Sequence, residues 1–259
     1  LHDRLPRGQV KVVFGSGTGY RRLPRLDNTW RIYCLRGPLT ARALGVDEKL
    51  AITDPACLLA TQIAAPLSKT CPVSFMPHYT TARADDWRPI CARAGIAYIA
   101  PDGPVEEVIA AIGQTRLLVA EALHGAVAAD ALRVPWLPVR LSHRHLGFKW
   151  LDWCLSLGLE YAPTDLPAVT EAGIPPARRA GRIVKRAFSL LGLGKEKWRR
   201  LPLRRSRPEE IDEAARRLAR VPGEASALLS PEKIRHELND RLLNKLDQLR
   251  NDLINARTA

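Results

Sequence analysis

A strand that runs directly into a helix, at residues 117–132, sets the fold class expected for this chain. The stretch begins apolar, as a buried strand does, and continues with small residues at helical spacing. His124 and Gly125 lie where its two halves meet. In an α/β sheet such a junction lies at the carboxyl edge, where these folds bind ligands. We therefore expect a parallel sheet with a binding site at this edge.

The same alternation of strand and helix recurs through the middle of the chain. Strands are predicted at 72–76, 96–100, 116–120 and 136–141. Helices are predicted at 84–94, at 104–112, from 124 onwards and at 148–157. Units at this spacing predict a parallel sheet with helices on both faces.

The first part of the chain shows a shorter version of the pattern. Strands are predicted at 10–14, 31–35 and 51–53, with a helix at 38–44 whose first residue is Pro38. The loop at 15–19 has glycine at alternate positions, so its backbone amides could hold a phosphate or a sugar. A plain turn would show the same glycines.

Composition changes divide the chain into three expected segments. These are a partial N-terminal Rossmann-like domain at 1–66, a C-terminal Rossmann-like domain at 71–161, and a basic helical tail at 162–259. The segment 61–70 is interpreted as a linker. In the tail, helices are predicted from residues 206 and 230, and apolar residues at 234–253 form one stripe. That stripe would pack on the body or on a partner helix, which makes 230–256 a candidate surface for a homo-oligomer.

The net charge of +13 is concentrated in one segment. Residues 176–207 contain twelve Lys or Arg and one Glu, which amounts to +11. Basic and apolar residues are intermixed at 178–193, as is typical of an amphipathic helix on an anionic membrane. Nucleic acid is the rival partner, although none is expected, and a solvated basic helix packed on the body is equally consistent.

Several site types are absent from the sequence. The five cysteines form no CxxC pair, and no HxxxH, HExxH or GxSxG spacing occurs, so neither a metal site nor a hydrolase elbow is predicted. No apolar run is long enough to span a bilayer. Reduced thiols and a cytoplasmic location, with a peripheral position at the inner face of the plasma membrane, are expected.

Charged and polar residues follow several predicted strands. Arg36 stands between a strand and a helix, where its planar fork could bind a carboxylate or phosphate, although a surface arginine is the ordinary alternative. His124 could move a proton beside an anion bound at the helix start, or it could be structural. Asp54 either caps a helix or faces the cleft. The other candidates at strand ends are His78, Asp102, Glu121, His143, Arg144 and His145.

Several pieces of sequence together resemble the polysaccharide pyruvyltransferase family, and most closely the ketal pyruvyltransferases of succinoglycan-type exopolysaccharide assembly. They are VFGSG at 13–17, IYCLRGP at 32–38, TDPA at 53–56, VSFMPH at 73–78, EALHG at 121–125 and ADALRVPW at 129–136, with Lys149 also fitting. The resemblance covers about residues 10–161.

The resemblance implies two Rossmann-like domains facing a cleft, as in the GT-B glycosyltransferases. It implies phosphoenolpyruvate as donor, a lipid-linked oligosaccharide as acceptor, and no cofactor. Arg36 then matches the arginine that holds the donor, and His124 the catalytic histidine. The remaining expected substrate contacts are Gly15, Ser16, Gly17, Asp54, His78, Glu121, Gly125, Arg140, His143, Arg144 and Lys149.

The chain departs from the family pattern twice. Many members carry Arg where this chain has Ala122, and Arg140 or Arg144 would have to replace that charge. The opening Asn-x-Gly-Asp-Glu motif is missing, so we expect a fragment or a naturally shortened member with a truncated first domain. The alternatives are a GT-B-like glycosyltransferase that uses a nucleotide sugar, and a non-catalytic adaptor that binds membrane or nucleic acid.

Overall fold

The computed structural model describes residues 1–6, 8–19, 22–63, 68–141, 146–170, 176–193, 195, 198, 201 and 203–258. Packing divides the chain into two compact units. Unit 1 consists of Leu1–Ala64, Leu146–Tyr161 and Ser230–Ala259, and unit 2 of Ala65–His145 and Ala162–Leu229. This grouping differs from the three consecutive segments expected from the sequence, because two later segments pack with the first.

Unit 1 contains a small parallel sheet. Strands β1 (Lys11–Ser16) and β2 (Trp30–Leu35) pair in parallel, and Ala51 adds a single bridge to Leu35 where a third strand was expected. Helix α1 (Pro38–Leu44) begins at its proline as predicted, since Pro38 lacks the N–H that a first helical residue leaves unpaired. Asp54 caps the 3₁₀ helix Pro55–Gln62 through a bond from Ala56 N to its side chain, at 3.1 Å.

Unit 2 contains the larger sheet. Its strands are β3 (Cys71–Met76), β4 (Ala97–Tyr98), β5 (Thr115–Ala120), β6 (Trp136–Arg140) and β7 (Thr164–Asp165). They pair in parallel in the order β4-β3-β5-β6-β7. Helices α2 (Tyr79–Ala82), α3 (Arg88–Ala94), α4 (Val105–Gln114) and α5 (Leu123–Ala131) lie in the connections. The α/β class with parallel sheets is confirmed, and the GT-B-like arrangement stays a prediction.

The remaining helices belong to different units. Helices α6 (Gly147–Ser156) and α9 (Glu232–Thr258) are part of unit 1, whereas α7 (Pro176–Leu190) and α8 (Pro208–Glu224) are part of unit 2. Leu218 of α8 is buried in the core cluster that contains Phe75 and Trp87. Leu242 of α9 is fully buried in unit 1, so the expectation that the stripe packs on the body is confirmed at this residue. The homo-oligomer stays a prediction.

Candidate functional site

Arg36 lies in unit 1, at the junction between β2 and α1, and its side chain is only 6% exposed. Its Nε donates to Asp152 Oδ2 at 3.2 Å, and its Nη2 donates to the carbonyl of Thr18 at 3.2 Å and lies 3.2 Å from the same carboxylate oxygen. Within the described part of the chain, Nη1 has no hydrogen-bond partner. The guanidinium is therefore fixed on one side, while its second terminal nitrogen keeps two donors for a ligand.

Asp152 is fully buried on α6 and connects Arg36 to helix α1. Its Oδ1 accepts from the backbone N–H of Thr40 at 3.0 Å, and its Oδ2 accepts from Thr40 Oγ1 at 2.6 Å. A buried carboxylate is tolerated when its lone pairs are satisfied in this way. The network holds the Arg36 fork in one orientation, which is what a site for a planar or tetrahedral anion requires.

The glycine loop after β1 packs against the cationic side chains of unit 1. A Cβ on Gly17 would lie 2.3 Å from Arg36 Nη2, and one on Gly19 would lie 3.3 Å from Lys149 Cγ. Gly15 has φ of +68°, and a Cβ there would lie 2.2 Å from Pro55 Cδ. The loop thus needs glycine for close approach, and the structure brings Gly15, Gly17, Arg36, Asp54 and Lys149 into one region of unit 1. Ser16, the exposed last residue of β1, adjoins it.

Gly17→Ala is expected to displace the Arg36 guanidinium and to reduce the free energy of unfolding by about 1–3 kcal/mol, the usual cost of overpacking. Chemical denaturation measures this change. Gly181→Ala is the matched control, because no atom lies within 4 Å of a Cβ there and alanine favours its helix. Equal stability of Gly17→Ala and wild type would show that Arg36 moves aside freely.

Lys149 on α6 has an unusual proton affinity. Burial and, to a lesser extent, repulsion from Arg36 lower the pKa of Lys149 to about 8, while attraction to Asp54 partly opposes the shift. Asp54 itself is 6% exposed. Arg36 and Lys149 are thus two cations that repel each other while partly removed from solvent. A bound anion would stabilise this arrangement, because it would offset their mutual repulsion.

The sheet of unit 2 has its own candidate site. In its internal numbering the strand order is 2-1-3-4-5, a doubly wound order in which ligands bind where the chain reverses direction, beyond the carboxyl ends of the first and third strands. Those strands are β3 and β5. His78 follows β3 and Glu121 follows β5. Glu121 is 2% exposed, and its Oε2 accepts from the backbone N–H of His78 at 2.9 Å, so the two strand ends are joined.

His124 lies one residue into helix α5, beside this reversal point, and its side chain is exposed. The residue before the helix, Ala122, makes no side-chain cap. The first N–H groups of α5 are therefore suited to an anion. Gly125 packs against β3, since a Cβ there would lie 2.6 Å from Met76 Sδ. His78, Glu121, His124 and Gly125 thus lie at one edge of the sheet of unit 2.

Other chemistries find little support in the described residues. None of the five cysteines forms a disulfide, and burial raises the pKa of Cys34 to about 11 and that of Cys91 to about 12, so these two thiols are poor nucleophiles. In the same residues, no group of three or more His, Cys, Asp or Glu could hold a metal ion. None of the helices described is both long and apolar enough to cross a membrane.

Comparison with known proteins gives one informative similarity. The chain is 45% identical, over 171 residues, to the succinoglycan biosynthesis protein ExoV of Rhizobium meliloti (strain 1021). The aligned region covers 65% of this chain and 54% of that protein, so the chain spans about half the length of this relative. No family model and no solved structure matches the chain.

Some predicted site residues are placed less simply. Arg140, at the end of β6, directs its fork at Asp165, with Nε to Oδ1 at 2.6 Å and Nη2 to Oδ2 at 2.9 Å. A substrate role for Arg140 would require that pair to open, because its charge is already matched. His143 and Arg144 lie outside the described residues.

Asp152 is the residue that sequence reasoning missed. It stands in the predicted helix between two tryptophans and a cysteine, in the run KWLDWCL. A single carboxylate on an apolar helix signals a buried partner, because an unpaired buried charge would be very costly. That signal indicates a cation but not which one, since Arg36 lies 116 positions away.

Proposed function

We propose that the protein transfers a pyruvyl group from phosphoenolpyruvate to a sugar of a lipid-linked exopolysaccharide repeat unit, forming a cyclic pyruvate ketal. The observation that carries the proposal is the similarity to a succinoglycan biosynthesis protein over most of the chain. The motif resemblance to pyruvyltransferases supports the same reaction. The anion-holding geometry around Arg36 fits the donor, which carries a carboxylate and a phosphate.

The reaction sets clear demands on the protein. C3 of the donor gains a proton while C2 becomes cation-like, and a sugar hydroxyl attacks C2. Phosphate leaves with the electron pair of the C2–O bond, and a second hydroxyl of the same sugar closes the ketal. Of the two hydroxyl protons, one leaves on the phosphate and the other restores the general acid. The protein must therefore hold a multiply charged anion, supply one proton and stabilise the departing phosphate.

Unit 1 would supply the cations for this chemistry. The two N–H groups of Arg36 Nη1 would donate to separate oxygens of phosphoenolpyruvate, because Asp152 and Thr18 already orient the guanidinium. Lys149 would bind a second oxygen as a point charge. The attraction of both cations to the phosphate would strengthen as the C2–O bond breaks, since negative charge moves onto the leaving group in the transition state.

His124 is the residue that we propose as the general acid. His124 is exposed at the start of α5, so it can exchange protons with solvent and present one to the donor carbon. The first N–H groups of the same helix would donate hydrogen bonds to an anionic oxygen of phosphoenolpyruvate. Glu121 would act indirectly, by fixing the loop that begins at His78.

The pKa of Lys149 predicts how donor binding depends on pH. Lys149 is charged below its pKa of about 8 and neutral above it. We expect the affinity for phosphoenolpyruvate to fall by about tenfold as the pH rises through this value, the loss of one charge-assisted hydrogen bond. The phosphate of phosphoenolpyruvate does not interfere, since the second pKa of a phosphate monoester is about 6 and the group is almost fully ionised at the pKa of Lys149. Calorimetric titration at a series of pH values measures the effect.

Lys149→Arg is the control for that pH profile, because arginine stays charged throughout the range. Its affinity should be flat where that of wild type declines. A wild-type profile without a decline between about pH 7 and about pH 9 would remove Lys149 from the donor site.

Calorimetry also separates the proposed donor from the alternative one. We expect the chain to bind phosphoenolpyruvate and not a nucleotide sugar. Heat from nucleotide sugars alone would favour a GT-B-like glycosyltransferase. Heat from neither donor class, in a folded protein, would favour a non-catalytic adaptor.

A further inference from the structure

Helix α7 separates its basic and apolar residues onto two sides. Successive helical residues are about 100° apart, which allows the faces to be assigned. The basic side carries Arg179, Arg182, Lys185 and Arg186, and the apolar side carries Ala180, Ile183, Val184, Ala187, Phe188 and Leu190. Such complete separation is the signature of a helix that lies in an interface.

The apolar side of α7 faces solvent. Ile183 is 47% exposed, Val184 54% and Phe188 48%. Exposure continues past the helix at Leu191 and Leu193, which are both more than 70% exposed. Single apolar residues scattered over a protein surface are ordinary. A contiguous apolar patch of this kind marks a binding site.

The basic side of α7 is also open to solvent, since Arg179, Lys185 and Arg186 are all exposed. Ser189 lies on the basic side and is only 2% exposed, and its Oγ donates to the carbonyl of Lys195 at 2.9 Å. The exposures of Ile183, Val184 and Phe188 show that the described part of unit 2 leaves the apolar side uncovered. The core of this unit includes residues of α8 but none of α7.

We propose that α7 docks on an anionic lipid surface, with its apolar side among the acyl chains and its basic side chains at the headgroups. Charge complementarity selects this occupant, because residues 176–207 carry a net charge of +11. A nucleic acid would pair with the cations but would leave the apolar side unused. A second copy would bring one +11 segment against another, at a cost in repulsion. This inference does not depend on the proposed reaction.

Cosedimentation of the full chain with lipid vesicles tests the proposal. We expect binding to vesicles of phosphatidylglycerol and phosphatidylcholine, and little binding to phosphatidylcholine alone. The triple variant Arg179→Gln, Lys185→Gln, Arg186→Gln should bind about 100-fold more weakly, since each basic residue near an anionic surface contributes about 1 kcal/mol. The triple variant Ile183→Ser, Val184→Ser, Phe188→Ser should bind at least about tenfold more weakly.

Val105→Ser is the matched control, because Val105 is 61% exposed in the same unit but lies on α4. It should bind vesicles like wild type, and all variants should keep the wild-type melting temperature, since the replaced side chains are exposed. Three results would overturn the proposal. The first is that the apolar triple variant binds vesicles as tightly as wild type. The second is that the chain binds duplex DNA and does not bind vesicles. The third is that wild type forms a dimer and does not bind vesicles, and that the apolar triple variant disrupts this dimer.

Discussion

His124→Ala should slow pyruvyl transfer by about 100- to 10,000-fold, the usual contribution of a general acid. The affinity for phosphoenolpyruvate should stay near that of wild type, because the cations proposed to hold it are Arg36 and Lys149. The melting temperature should also be unchanged, since His124 is exposed and exposed substitutions rarely alter stability much. Phosphate release from phosphoenolpyruvate in the presence of acceptor measures the rate.

His236→Ala is the matched control for this variant. His236 is also an exposed histidine on a helix, with a side chain 63% exposed, and its ring lies 3.4 Å from Glu232. Its replacement should leave transfer unaltered. Turnover of His124→Ala at the wild-type rate would assign the proton to another group.

Arg36→Lys should lower kcat/KM for phosphoenolpyruvate by about 100-fold, the loss of a fixed pair of charge-assisted hydrogen bonds. Lysine keeps one charge opposite Asp152 but has no second nitrogen left for the donor. Arg36→Ala would be less informative. It would strand a fully buried carboxylate, a change that typically costs about 3–5 kcal/mol of stability.

Arg42→Lys is the matched control, since Arg42 lies on α1 in the same unit and pairs with Glu48 at the surface. Its side chain is exposed, so the substitution should change neither stability nor kcat/KM. If both lysine variants behaved alike, Arg36 would be a structural residue that only supports α1 and α6.

Local sequence signals predicted the regular elements well where they acted alone. Pro38 marked the start of α1, and the apolar run before His124 marked β5 and the start of α5. The helix expected at 84–94 begins only at Arg88, because Pro89 is tolerated in a first turn but not inside a helix. Strand β7 was not predicted. It is two residues long and is set by pairing with β6, to which Arg140 and Asp165 contribute.

The candidate site was predictable in part for the same reason. Residues that follow strands could be assigned to a sheet edge, and His78 and Glu121 do meet there. The network of Arg36, Asp152 and Thr40 could not be predicted from the sequence, because Asp152 lies more than a hundred residues from the other two. Which helices join which unit was equally hidden, since α6 and α9 are assigned by packing and not by any local pattern.

The proposed pyruvyl transfer is tested most directly by mass spectrometry of the acceptor after incubation with carbon-labelled phosphoenolpyruvate. The acceptor is the lipid-linked oligosaccharide fraction of a bacterium that makes succinoglycan, and nucleotide sugars are added in a parallel reaction. The oligosaccharide should gain the labelled mass of one pyruvate less one water, and one phosphate should be released for each ketal formed. An oligosaccharide that gains a hexose from the nucleotide sugar, and no label from phosphoenolpyruvate, would contradict the proposed transfer.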